Sequence, residues 1–151
     1  MRAGPMSIST LLFGTMLLLP FTAAHAAEVF VAELRGSRTQ SPATGFATFR
    51  LHDDLSAIDY FVTYENLTSP EYMAHVHRPD DTIAIFLPIG TPKVGTWQDP
   101  TAQDIAELRS EELYVNIHSE YYPTGEIRGT LRLYTIPVAV TTWGAIKALY
   151  R

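Results

Sequence analysis

Residues 113–131 read LYVNIHSEYYPTGEIRGTL, and their alternation decides how the chain is read. Taken as two strands joined by a loop, the stretch separates into two faces, because successive side chains of a strand point to opposite sides. Leu113, Val115 and Ile117 share one face with Ile127, Gly129 and Leu131. Tyr114, Asn116 and His118 share the other with Glu126, Arg128 and Thr130. The first set is a core face. A strand that only meets bulk water has little reason to gather Asn, His, Glu and Arg, so the second set is a candidate site or a structural polar network.

The same alternation runs outward from this stretch. EVFVAEL (28–34) reads as a first strand ended by Gly36, followed by the polar loop SRTQSPATG (37–45). GFATFRLH sets Ala47, Phe49 and Leu51 against Phe46, Thr48, Arg50 and His52, and Asp53-Asp54 marks a turn. SAIDYFVTYENL places Ile58, Tyr60, Val62 and Tyr64 on one face, so the two segments form a hairpin. YMAHVH is a short strand before a loop at Arg78-Pro79-Asp80-Asp81. The apolar run TIAIFLPI suits a strand covered on both faces. Residues 88–100, rich in Pro and Gly, are expected to wander, with Gly95-Thr96-Trp97 returning to the core. TAQDIAELRSEEL carries a helical pattern of about three turns, opened by a Thr101/Asp104 capping box and striped by Ile105 and Leu108. The fold class expected is all-β: an antiparallel, Greek-key-like sandwich or barrel of about seven or eight strands with one short helical insertion.

The ends differ from this body. Arg2, the apolar stretch from Ser7 to Pro20 and the A-x-A sequence at Ala24 and Ala26 have the form of a signal peptide cleaved after Ala26. The apolar run, broken by Gly14 and Pro20, is short of the ~20 residues of a spanning helix. The expected organisation is a signal peptide over 1–26, a domain over 27–135 and an extension over 136–151. In that extension Trp143, Ile146 and Leu149 have the spacing of a short helix. The protein is expected to be exported, periplasmic or extracellular, with no transmembrane anchor in the mature form.

Composition narrows the chemistry. The net charge is −5, and removal of Arg2 with the signal makes the remainder one unit more acidic. That balance argues against nucleic acid, which needs clustered Lys and Arg. Without cysteine there are no disulfides and no thiolate metal sites. No G-x-S-x-G frame surrounds Ser119 and no phosphate-binding glycine loop is present, so a hydrolase has little support. Asn66-Leu67-Thr68 is a glycosylation sequon, meaningful only in a host that glycosylates exported proteins.

Histidine is the remaining donor. His75 and His77 in AHVH share one strand face, about 6–7 Å apart along the strand. His118 supplies a third imidazole from the polar face of another strand. Three imidazoles on a β scaffold suit copper or zinc, and ring nitrogens within about 4 Å of each other would fit one ion. Two readings of Asn116, Glu126 and Arg128 stay open. They are outer groups fixing the imidazole tautomers, or Glu126 and Arg128 pair across strands and anchor the hairpin. His52, beside Asp53-Asp54, reads as solvated. Tyr121-Tyr122-Pro123 would expose aromatics at a hairpin tip.

The succession AELRG, PATGFATF, IDYFVTYENL, AHVH, GTW, LYVNIH and GEIRGTL resembles the CHRD domain family, named after chordin and widespread in exported bacterial proteins. The resemblance covers roughly residues 28–133. It implies a β-sandwich module of mostly unassigned activity. In chordin such domains accompany growth-factor-binding modules, which implies a non-enzymatic recognition or scaffold role toward a protein or envelope partner. The family's His-x-His and N-x-H segments fall on His75, His77 and His118, and its G-E-I-R-G on Gly125 to Gly129. The His-x-His strand facing another histidine is also similar to the copper-ligand strands of copper–zinc superoxide dismutase. The chain departs from that enzyme in lacking a bridging histidine after AHVH and any cysteine. Two functions therefore stand side by side: a binding or scaffold module, and a periplasmic copper or zinc protein for metal handling or superoxide-dismutase-like redox protection.

Overall fold

A computed structural model describes residues 27–36 and 39–135; the signal peptide expected over 1–26 and the extension expected over 136–151 lie outside the described residues. The elements in chain order are β1 (Glu28–Arg35), β2 (Thr44–Leu51), β3 (Ala57–Glu65), β4 (Glu71–His77), β5 (Ile83–Leu87), β6 (Lys93–Gln98), α1 (Ala102–Arg109), β7 (Tyr114–Ser119), β8 (Ile127–Thr130) and β9 (Arg132–Leu133). All strand pairs are antiparallel, in the order β5-β4-β7-β8-β1-β2-β3-β6, with β9 added beside β1. This is the all-β class expected, a sheet rolled into a sandwich-like open barrel.

Alternation builds the core. Phe30, Ala32 and Leu34 of β1, Ala47, Phe49 and Leu51 of β2, and Ile58 and Val62 of β3 face inward. There they meet Ala74 and Val76 of β4, Val115 and Ile117 of β7, and Ile127 of β8 in one continuous apolar cluster. The faces of the 113–131 hairpin fall as the alternation requires, with Val115 opposite Gly129 and Ile117 opposite Ile127. The two halves meet where β8 lies against β1, paired at Arg35 and Arg128. A Cβ on Gly129 would sit 2.2 Å from Glu33 O, so only glycine lets the two backbones come this close.

Three expectations need correction. The run TIAIFLPI is not covered on both faces: β5 pairs only with β4 at one edge of the sheet, and Phe86 is 64% exposed. Residues 93–98 do not wander but form β6, the opposite edge, paired along β3 from Ala57↔Gln98 to Val62↔Lys93. Flanking Pro and Gly hid this strand, whose Trp97 does reach the core. The helix spans 8 residues, about two turns rather than three. Its capping box is present: Thr101 Oγ1 accepts from Asp104 N (3.1 Å), and Asp104 Oδ2 accepts from Thr101 N (3.0 Å). Ile105 and Leu108 are its buried stripe.

The gap between the two edges is bridged by a buried ion pair. Lys93 opens β6 with a fully buried side chain and bonds Glu71, at the start of β4, whose side chain is 3% exposed. The ammonium also donates to Pro88 O and Gly90 O, both at 2.7 Å, in the β5–β6 connection. The Glu71 carboxylate accepts from Tyr64 Oη (2.8 Å) and Gly90 N (2.6 Å). Burial pulls the Lys93 ammonium below its ordinary pKa, against the opposing pull of Glu71. Removing one member of such a pair leaves the other charge buried alone. Glu71→Ala should therefore cost about 3 kcal/mol or more in urea unfolding, more than the double substitution Glu71→Leu/Lys93→Met, which leaves neither charge buried alone.

Candidate metal centre

β4 and β7 lie side by side, and their pairing sets His75 opposite Asn116, His77 opposite Tyr114 and Met73 opposite His118. Because Ala74 and Val76 are committed to the core, Met73, His75 and His77 share the outer face of β4. The three histidines of the sequence reading come together there. The ring centroid of His75 lies 4.4 Å from that of His118 and 4.5 Å from that of His77. One ring nitrogen from each histidine falls within 4.8 Å of the other two. That span is wider than the ~3.4 Å between neighbouring ligands of a tetrahedral ion with bonds near 2.05 Å, so closing on an ion takes a small rotation of the rings. Half-buried His77 has the most room for it.

Although this is the outer face, His75 is only 3% and His118 only 7% exposed. Phe86 of β5 stands edge-on to His75 at 5.6 Å, and Tyr114 stacks on His77 at 4.9 Å with rings 14° apart. Arg128 lies over the other end of this stack, its guanidinium 5.5 Å from the Tyr114 ring.

Backbone oxygens fix two of the imidazoles. His77 Nδ1 lies 2.8 Å from Asp81 O, and His118 Nδ1 lies 2.9 Å from Pro123 O. A carbonyl only accepts, so each Nδ1 carries the proton and each Nε2 keeps its lone pair. His118 Nε2 is buried with no hydrogen-bond partner, as is His75 Nδ1. Buried nitrogens without partners are costly in a folded protein and are satisfied when they bind a metal.

The two loops that supply these carbonyls are themselves anchored. In the β4–β5 turn, Arg78 bonds Asp104 of the helix cap through Nε (2.8 Å) and Nη2 (2.7 Å) and donates to Ile83 O (2.9 Å). Asp81 Oδ1 accepts from Tyr114 Oη at 2.5 Å. In the β7–β8 loop, Gly125 adopts φ +116° beneath the Asn116 side chain, where a Cβ would come within 2.2 Å of Asn116 Oδ1. Tyr121 N donates to Ser69 Oγ (2.8 Å) and Glu120 N to Pro70 O (3.0 Å), tying the tip to the β3–β4 connection.

Glu126 takes its partners from far along the chain. It is buried and accepts from Ser41 Oγ (2.5 Å) and Thr68 N (2.8 Å), so it joins two distant loops. Burial raises its pKa, but hydrogen bonds from Ser119, Ser41 and Thr68 outweigh this and hold it below the usual range. Asn116 Nδ2 reaches Thr124 O at 3.4 Å. The tautomers are fixed by Asp81 O and Pro123 O, which no side-chain pattern in the sequence announces. His52, expected to be solvated, bonds Asp59 at 2.9 Å across the β2–β3 hairpin. Met73 was missed; its signal was the M-x-H-x-H parity of β4, which places a thioether on the histidine face.

Burial pushes His75 down to about 4, with its two imidazole neighbours adding to the shift, and burial also lowers His118. A histidine lowered on folding stabilises the protein above its unfolded value of 6.5 and loses that contribution as pH falls toward its folded value. From these two values, the metal-free protein should lose about 2 kcal/mol of stability between pH 7 and 5. Urea unfolding at the two pH values should show the loss, and His75→Phe should flatten it. The lowered carboxylates Asp59 and Glu126 act at lower pH.

Among known proteins, a search of curated sequences finds no match to this chain. The sequence profile of the CHRD domain matches residues 30–131, a span running from β1 through β8 and including all three histidines. With well over half its length matched, the chain belongs to the CHRD domain family.

Proposed function

We propose that this protein binds a copper or zinc ion through His75, His77 and His118 and serves in metal handling outside the cytoplasm. The observation that carries this reading is the convergence of three imidazoles from two strands, two of them tautomer-fixed with Nε2 lone pairs free. Elementary chemistry supports an all-imidazole donor set for either ion. Export by the 1–26 segment would place the site where no cytosolic chelator competes. A holding or delivery role fits better than dismutation, since no bridging histidine follows AHVH. The purified protein should carry close to one equivalent of copper or zinc by elemental analysis. A His75→Ala/His77→Ala/His118→Ala variant with an unchanged circular dichroism spectrum should carry none. Substoichiometric metal in both would retire the site.

A second reading, a recognition module for an envelope protein, is supported by exposed apolar side chains. Phe86 beside the histidines, Ile89 in the next loop and Tyr121 at the β7–β8 tip are each more than 60% exposed. Large exposed apolar side chains are common in binding surfaces. Cross-linking in intact cells should yield an adduct that Phe86→Ser/Tyr121→Ser abolishes; recovery of the uncross-linked chain alone would count against this role.

A further inference from the structure

We propose that Met73 supplies a fourth, thioether donor to the three-histidine centre and makes it a site for monovalent copper. This inference rests on the metal-binding reading above and narrows it to one ion.

Met73, His75 and His77 occupy alternate positions of β4 and so share its outer face, while Met73 is the cross-strand partner of His118. Met73 Sδ lies 3.0 Å from His75 Nε2. Two adjacent ligands of one ion with bonds near 2.0 and 2.3 Å stand roughly 3.5 Å apart, so sulfur and nitrogen are already near ligand spacing. Where Nε2 carries the proton, it points at the sulfur and leaves the buried Nδ1 lone pair without a donor. In the other tautomer, Nδ1–H is the buried group without a partner. An ion bound by Nε2 and Sδ takes this second tautomer, and it replaces the contact of two lone pairs 3.0 Å apart that the tautomer would otherwise hold.

The donor set then selects the ion. Three neutral imidazoles and a thioether bring no negative charge, and the convergent group contains no carboxylate. Burying an ion costs energy that rises with the square of its charge, so a monocation is tolerated here at a fraction of the cost of a dication. Soft thioether sulfur favours copper(I), whereas zinc is satisfied by nitrogen, thiolate and carboxylate. The edge-on Phe86 and the Tyr114 stack keep water from the centre, which further disfavours the more strongly hydrated dication.

The test is copper K-edge absorption on the purified protein loaded anaerobically with copper sulfate and excess ascorbate, beside competition titrations against a chromophoric copper(I) chelator. The expected result is one copper(I) with a sulfur scatterer at about 2.3 Å. Met73→Leu, which keeps the side-chain volume, should lose that scatterer and bind copper(I) at least ~10-fold more weakly, with zinc affinity unchanged. A nitrogen-only shell in the unsubstituted protein, with equal copper(I) affinity in Met73→Leu, would overturn the role of Met73 and leave the three-histidine centre standing. Retention of neither copper nor zinc by the unsubstituted protein would overturn both. The absorption spectrum of the unsubstituted protein decides the question even if Met73→Leu folds poorly.

Discussion

The register between β4 and β7 is the constraint on which everything at the candidate centre depends. Ala74 and Val76 are held in the core against Val115 and Ile117, and that packing leaves no choice about where Met73, His75 and His77 point. A slip of one residue would bury the imidazoles in the apolar core and expose Ala74 and Val76. The apolar core thus fixes the position of polar groups it does not touch. The bulge between Glu71 and Met73 absorbs the change of register at the end where Glu71 turns toward Lys93.

A second layer of order comes from the loops. The helix looks like a minor insertion, yet its capping aspartate is the anchor of the β4–β5 turn. Asp104 satisfies the helix N-terminus with one oxygen and holds Arg78 with the other, and Arg78 holds the loop whose Asp81 carbonyl orients His77. Glu126 plays the matching part at the other end, joining the 39–41 and 68 loops below the β7–β8 tip that orients His118. Both acids are almost wholly buried; Asp104 accepts through both oxygens, and Glu126 takes two donors on Oε1, which is how a low-dielectric interior tolerates them.

Much of this was legible in the chain itself. Strict alternation in EVFVAEL, FATFRL, IDYFVTY and LYVNIH fixed strands and faces because each has one side in the core. The gathering of three histidines on one face followed from parity, and the family from the order of its motifs. What stayed hidden had physical reasons. β6 lies between Pro- and Gly-rich flanks, and as an edge strand it needs pairing on one side only, so its pattern is weak. An uninterrupted apolar run such as TIAIFLPI looks the same whether its second face is covered by a sheet or left at an edge. The bonds of Glu126 to Thr68 and Ser41 reach 58 and 85 residues along the chain, which strand parity does not show. Met73 went unread because a methionine next to alanine in a strand is most simply a core residue.

The carbonyl locks on His77 and His118 use main-chain atoms that every residue type possesses. The loops that supply them can therefore drift in side-chain identity over evolution, so long as their backbone course is kept, without altering which nitrogen each imidazole presents. Selection on such a centre would fall on the strand positions 73, 75, 77 and 118 and on a few turn-shaping residues such as Gly125 and Asp80, whose carboxylate holds Thr82, and would leave Pro79 and Thr124 nearly neutral. Relatives with quite different connecting loops would then present the same nitrogens, and the shared trait would be recognised by strand parity sooner than by overall identity.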